Sequence, residues 1–191
     1  MLHRMTRAAD DELVARCLDG IDGAFAELVD NYKNLVFGVI SQVVADRGRV
    51  EDLAQEVFLK VYKGLPSYRG DAKLSTWIYR IVRNVCADAA TRDRPAASLD
   101  ERNVRGELRY EPAVHDRAFH AAELREELER AISELPVEQR FLISAHYFGG
   151  QQYQELADIL GIPIGTVKTQ LHRAKTRLRI FLEQRQGTRE F

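Results

Sequence analysis

Cysteine is nearly absent: the 191 residues hold two, Cys17 and Cys86, and no CxxC pair. A disulfide framework is excluded, and what remains is two isolated thiols of the kind that pack as small buried side chains. The five histidines, His3, His115, His120, His146 and His172, offer no metal site. None shares a helix face with a cysteine or second histidine, and the step from His115 to His120 misses the i, i+4 geometry of a helical pair. No cofactor is expected. The chain lacks a P-loop, a GxGxxG, an HExxH and a GxSxG, so nucleotide, metallopeptidase and hydrolase chemistry have no motif to stand on. Its carboxylates fall at helix starts and on polar faces, where solvation explains them, and the chain reads as no enzyme. No run is long enough to span a membrane, and the start MLHRMTRAADDELV lacks the apolar core of a signal peptide. The cytoplasm is the expected compartment.

What is present describes a globular protein: 45% hydrophobic and 30% charged residues, in a length that suits one ordinary domain or two small ones. Strand signals are poor, and helical periodicity recurs. DDELVARCLDG reads as a short helix stopped by Gly20, after which Asp22 is placed to cap GAFAELVDNYKNLVFGVISQVV. VEDLAQEVFLKVYKGL follows, then the loop PSYRGDAK, then LSTWIYRIVRNVCADAA with Leu74, Trp77, Ile78, Ile81, Val82 and Val85 facing inward. From Pro95 to Ala121 the periodicity fails: two prolines, five acids and four arginines leave no apolar face. That composition is a tether. Helices resume with ELREELERAISEL and VEQRFLISAHYF. The expected architecture is all-α: an arm (1–21), a helical domain (22–94), a flexible polar linker (95–121), a second helical domain (122–185) and a tail (186–191).

The charge distribution points to function. Between Asp158 and Glu183 there is no acid, while Lys168, Arg173, Lys175, Arg177 and Arg179 crowd the interval. From Glu123 to Pro163 eight acids and three arginines give −5, and from Ile164 to Phe191 seven basic residues and two acids give +5. A chain of net charge −1 therefore hides a dipolar domain with its positive end on one element. That element is the second half of YQELADILGIPIGTVKTQLHRAKTRLR. Gly161 ends one helix, Pro163 stands at the start of the next, and Val167, Leu171, Ala174 and Leu178 form one stripe, the pattern of a helix-turn-helix. Lys168, Thr169, His172, Arg173 and Thr176 then point outward, donors suited to guanine edges and phosphates in a major groove. A merely solvated face would mix both signs of charge, and this one does not.

The segment LPVEQRFLISAHYFGGQQYQELADILGIPIGTVKTQLHRAKTRLRIFL resembles region 4 of the extracytoplasmic-function (ECF) sigma factors of bacterial RNA polymerase. Phe25 to Pro95, with DLAQEVFLKVYK and STWIYRIVRN as its telling pieces, is similar to region 2 of the same group. The resemblance implies promoter-specific transcription initiation, with core polymerase and promoter DNA as partners and an anti-sigma factor as regulator of a protein that is monomeric when free. It implies that Asp52, Gln55, Glu56 and Lys60 dock on the polymerase clamp. Tyr68, Arg69, Lys73, Tyr79, Arg80, Arg83 and Asn84 would handle the single-stranded −10 element. At the duplex −35 element the implied contacts are Thr166, Lys168, Thr169, Gln170, His172, Arg173, Lys175 and Arg177. Gln170 stands where the family usually has a basic residue. Trp77 lies on the apolar stripe and is read as core. The linker acids Asp100, Glu101, Glu107, Glu111 and Asp116 would enter a basic channel of the polymerase normally used by RNA. The short EQRQGTREF end leads to the expectation of no built-in sensor domain.

Two other readings stay open on the sequence. The C-terminal module also resembles the DNA-binding domain of LuxR-type regulators, so a free-standing helix-turn-helix regulator is the first alternative, and an adaptor with a degenerate sigma fold is the second. The regulator reading leaves Phe25 to Pro95 without a task. The adaptor reading must ignore intact basic residues on both DNA-facing helices.

Overall fold

A computed structural model describes residues 7–44, 46–92 and 116–187, with side chains from 125 to 184 in the last stretch. Eight α-helices and no strand occur among the described residues: α1 (Arg7–Leu18), α2 (Ala24–Val43), α3 (Val50–Gly64), α4 (Leu74–Arg92), α5 (Asp116–Ser133), α6 (Val137–Ile143), α7 (Tyr153–Leu160) and α8 (Ile164–Gly187). A π-helical turn, Ser144–Phe148, carries α6 onward.

The periodicity places these elements well, and three local expectations need correction. Asp22 caps nothing: α2 starts from Gly23, which takes the left-handed conformation at φ 79° with no side-chain cap. α5 begins at Asp116, so the last part of the expected linker is helix, and Asp116 belongs to that helix. The stretch before it, with Asp100, Glu101, Glu107 and Glu111, lies outside the described residues, as do residues 1–6 of the N-terminal arm and 188–191 of the tail. The loop after α3 opens with a 3-10 turn, Leu65–Ser67, as its proline favours.

α1 to α4 form an N-terminal half. Tyr32 donates to the buried Asp10 carboxylate (2.6 Å) and so ties α1 to α2, while Arg7 donates to the Gly70 carbonyl and holds the loop before α4. Desolvation raises the Asp10 carboxyl above the usual range, against the hydrogen bond from Tyr32. α5 to α8 form the other half, and the two share one continuous apolar core. α4 packs on α6 and α7, and α2 on α5, α6 and the π-helical turn. Two sides of α4 are therefore covered. Leu74, Ile78, Val82 and Val85 face the N-terminal helices as the periodicity predicts, and Thr76, Tyr79 and Cys86 are buried as well.

The seam between the halves has a tight point at Gly149. A methyl group there would overlap the Tyr79 hydroxyl and the Ala145 carbonyl. Gly149→Ala should therefore cost about 1–3 kcal/mol of stability, the usual penalty of overpacking, measured as a shift in urea midpoint. In a Tyr79→Phe background the penalty should be smaller, because the nearest obstructing atom has gone.

Candidate functional site

The helix-turn-helix is built from local signals. Gln152 and Glu155 form a capping box at the start of α7, with the Gln152 amide donating to Glu155 Oε2 at 2.8 Å. α7 ends at Gly161 in the left-handed conformation, φ 66°, and the Thr166 amide donates to the Pro163 carbonyl (2.8 Å) as α8 begins. Val167, Leu171 and Ala174 are buried, so the turn aims the rest of α8 outward. Thr166, Lys168, Thr169, His172 and Arg173 are exposed. Among the described residues Lys168, His172, Arg173 and Lys175 make no ion pair, which leaves this face unneutralised. The Thr169 hydroxyl donates back to the Gly165 carbonyl (2.9 Å).

Two residues expected on that face reach back to α6 by hydrogen bonds, although Arg177 stays exposed. Gln170 is half-buried and accepts from Gln139 Nε2 (3.4 Å), and Gln139 Oε1 in turn accepts from Arg177 Nη1 (3.1 Å). Both lie about 60° round the helix from the buried stripe at Val167 and Ala174, close enough to reach α6. Gln139 is itself buried, so this small network fixes how α8 sits on its scaffold. Farther along, Lys175 and Arg179 rim an apolar groove of about 560 Å³ between α5, the π-helical turn and α8, which the sequence did not announce.

The second surface is α4 with its preceding loop. Tyr68 is half-buried, its hydroxyl donating to the Ala72 carbonyl (2.8 Å) and its ring packed on Trp77 with centroids 5.4 Å apart. Trp77 is half-buried too and approaches Gly64 closely, so it acts as partial core, as expected. Arg69 and Asn84 are exposed, and Asn84 Oδ1 accepts from Arg83 Nη1 (3.2 Å). The basic residues have found acceptors in the C-terminal half. Lys73 meets Glu155 at 2.7 Å, Arg83 meets Glu138 at 2.7 Å, and Arg80 donates through Nε (3.0 Å) and Nη2 (2.8 Å) to the Asp158 carbonyl. Tyr79, expected to face out, is 1% exposed and packs edge-on against Phe141. It does point away from the N-terminal core, but the C-terminal half covers it. Burial pushes its hydroxyl up to about 12, with the Gln151 side chain bonding in the opposite sense.

The third surface is the outer face of α3. Asp52 and Gln55 are exposed and make no ion pair or side-chain hydrogen bond among the described residues. Glu56 pairs with Lys60 (2.9 Å) and Arg92 (3.4 Å), and Lys60 approaches Asp88 (3.8 Å), so half of the expected face is tied to α4. The hydrogen bond from Lys60, ahead of that from Arg92, holds the Glu56 carboxyl below its ordinary value. Sequence reasoning missed Leu59, which is 58% exposed on the same i, i+3, i+4, i+7 row as Asp52, Gln55 and Glu56. The available signal was an aliphatic side chain interrupting a polar face. Among the described residues no group of His, Cys, Asp or Glu converges as a metal site.

These surfaces have counterparts in known proteins. Residues 28–95 match the family Sigma-70 region 2, and residues 125–178 match Sigma-70, region 4. The chain is 33% identical over 167 residues to the ECF RNA polymerase sigma factor SigW of Bacillus subtilis, covering 84% of this chain and 89% of that protein. It is 34% identical over 173 residues to the ECF RNA polymerase sigma-E factor of Escherichia coli K12, covering 87% and 90%. Among solved structures, CnrH in complex with the cytosolic domain of CnrY superposes with a TM-score of 0.66 at 21% identity, over 92% of this chain and 97% of that one. The sigma factor RpoE of Bartonella quintana, solved with the anti-sigma factor NepR, superposes at 0.63 and 19% identity, over 84% and 98%. These two show a shared fold.

The seam also has an alkaline limit. Burial raises Cys86 from 9.0 to about 12 and Tyr79 from 10.0 to about 12. Both groups keep their protons in the packed state where the unfolded chain would lose them, so their contribution is intact below about pH 9 and is lost as pH climbs toward 12. Urea midpoints measured across that range should fall, and less steeply in Cys86→Ala, which has one fewer proton to lose.

Proposed function

The chain belongs to the ECF group of the sigma-70 family of RNA polymerase sigma factors, and from that premise we propose how its three surfaces divide the work. As a sigma factor it directs core polymerase to specific promoters and helps open the −10 element, lending specificity to an enzyme it does not itself constitute. The observation that carries this is one chain holding region 2 and region 4 in order, each over a helical half. A free-standing regulator would leave residues 28–95 without a task.

The outer face of α3, with Asp52, Gln55 and Leu59 open and Glu56 and Lys60 beside them, docks on the polymerase. An exposed aliphatic anchor ringed by charges suits a helical partner better than a purely polar face does. α4 and its loop take the −10 strand: Lys73, Arg80 and Arg83 neutralise phosphates, the Tyr68–Trp77 pair offers a stacking surface, and Asn84 reads a base edge. α8 reads the −35 duplex through Lys168, Thr169, His172 and Arg173, with Thr166 and Lys175 on phosphates. Gln170 and Arg177 orient that helix instead of touching bases. Residues 22–94 and 122–185 are thus two functional modules. The sigma factor RpoE of Bartonella quintana is solved with an anti-sigma factor, and CnrH with the cytosolic domain of CnrY; we assign this chain an anti-sigma partner in turn. No described helix is long and apolar enough to cross a membrane, in keeping with work beside the polymerase in the cytoplasm.

Run-off transcription with core polymerase tests the first surface. Asp52→Ala, Gln55→Ala and Leu59→Ala together should leave the urea midpoint nearly unchanged, as exposed substitutions do, and weaken polymerase binding by about tenfold or more, with transcription falling in step. Wild-type transcription from the triple variant would remove α3 from the docking surface.

The −35 assignment has its own measurement. With the holoenzyme on a cognate promoter, Arg173→Ala should cost about 1–3 kcal/mol and blur base preference. Lys175→Ala should weaken all sequences alike and reduce the salt slope by about one unit. Equal effects of both on every sequence would show the base-reading face to be misplaced.

A further inference from the structure

We propose that Arg177 and Gln139 lock the side-chain amide of Gln170 with its NH2 group outward, making it a donor-only contact to a DNA phosphate. This rests on the reading of α8 as the −35 helix and adds a contact to it. The polarity follows from what each group can do. A guanidinium has donors and no acceptor, so the Gln139 atom facing Arg177 Nη1 (3.1 Å) must be its oxygen. The other arm of the Gln139 amide is then its nitrogen, and the Gln170 atom 3.4 Å from it must be the acceptor. Gln139 is 6% exposed, so turning its amide round would bury unsatisfied polar atoms. The bonds therefore run one way, from Arg177 through Gln139 to Gln170. They end on Gln170 Nε2, whose two N–H groups have no partner among the described residues and are not sealed from solvent.

The position of that NH2 group suits a phosphate. At about 100° per residue, Gln170 and Arg177 stand about 20° apart on one edge of α8, between the buried stripe and the exposed Thr166 and Arg173. Lys168 and Lys175, both exposed, stand about 20° apart on the opposite edge. A helix about 10–12 Å across fills a major groove about 12 Å wide, so its edges face the sugar–phosphate walls and its crest faces the bases. One wall thus meets two lysines. The other meets Gln170 together with Arg177, whose exposed guanidinium keeps further donors after its bond to Gln139. A glutamine that can turn pairs with adenine through one donor and one acceptor. With its oxygen held, this one can only donate, and a phosphate oxygen accepts whatever the base sequence.

The test uses the holoenzyme on a cognate promoter in which single phosphates of the −35 element are replaced by neutral methylphosphonates. At one phosphate the replacement should weaken wild-type binding by about threefold to tenfold and leave Gln170→Leu unaffected, because that variant has already lost the bond. On unmodified DNA, Gln170→Leu should weaken every −35 sequence alike with an unchanged salt slope, since an amide releases no counterion. Gln139→Glu should also lose the coupling. A carboxylate accepts from Arg177 and from Gln170 alike, so it turns the Gln170 oxygen toward the DNA. Gln139→Met should keep the coupling, because the Gln170 amide is then free to present its NH2 group. A merely structural role for Gln139 would disturb both variants alike. Coupling retained in Gln139→Glu, coupling lost in Gln139→Met, or no phosphate coupled to Gln170 would each overturn the proposal, as would a base preference that shifts in Gln170→Leu. If Arg173→Ala also leaves base preference untouched, α8 itself is misassigned. A base preference that does blur in Arg173→Ala confines the failure to the amide.

Discussion

Tyr79 stands where the two halves meet, its ring on Phe141 and its hydroxyl against Gly149. Around that contact α4 becomes a shared wall, buried by Leu74, Ile78, Val82 and Val85 on one side and by Tyr79 and Cys86 on another. An amphipathic helix ordinarily hides one stripe and leaves the rest to solvent. A helix covered twice couples the cores on either side, and the molecule has one continuous core as a result. Further ties bracket the seam: Arg140 donates to the Val43 carbonyl at the end of α2 (2.8 Å), and Arg47 pairs with Glu129.

The same wall decides what the positive charge can do. Lys73 just before α4 and Arg83 on it meet acids of α7 and α6, whereas cations on the outer face of α8 meet solvent. The dipolar C-terminal half explains the arrangement. Its negative part turns toward α4 and its positive part turns away, so packing of the halves is electrostatically favourable at the seam and leaves a strong field on the far side. An isolated pair exposed to solvent contributes little, and the apolar contacts at Tyr79 and Phe141 give the seam its bulk.

α8 is oriented by a different device. Gln139, buried in α6, holds both Gln170 and Arg177 by hydrogen bonds, so a position that is usually basic in the family contributes here to how the helix sits. The two edges of the helix are thereby distinct: Gln170 and Arg177 are bonded to Gln139, and Lys168, His172 and Arg173 stay exposed to solvent.

The sequence by itself determined whatever depends on near neighbours. Apolar steps of three and four placed α2, α3 and α4. Gly161 and Pro163 placed the turn before α8, and the stripe Val167, Leu171, Ala174 and Leu178 aimed Lys168 and Arg173 outward. The two modules were legible for the same reason, since motif spacing is local. Only the tertiary structure decided what covers Tyr79, what Lys73, Arg80 and Arg83 bond to, and that Gln170 and Arg177 share hydrogen bonds with Gln139. Periodicity separates a helix's apolar side from its polar side, but a second covered face made of the buried Tyr79 and Cys86 with the half-buried Arg83 between them has no apolar repeat to betray it. Its burial depends on partners more than fifty residues away in the chain, and the contact between them is specified by shape and charge that no window of sequence contains.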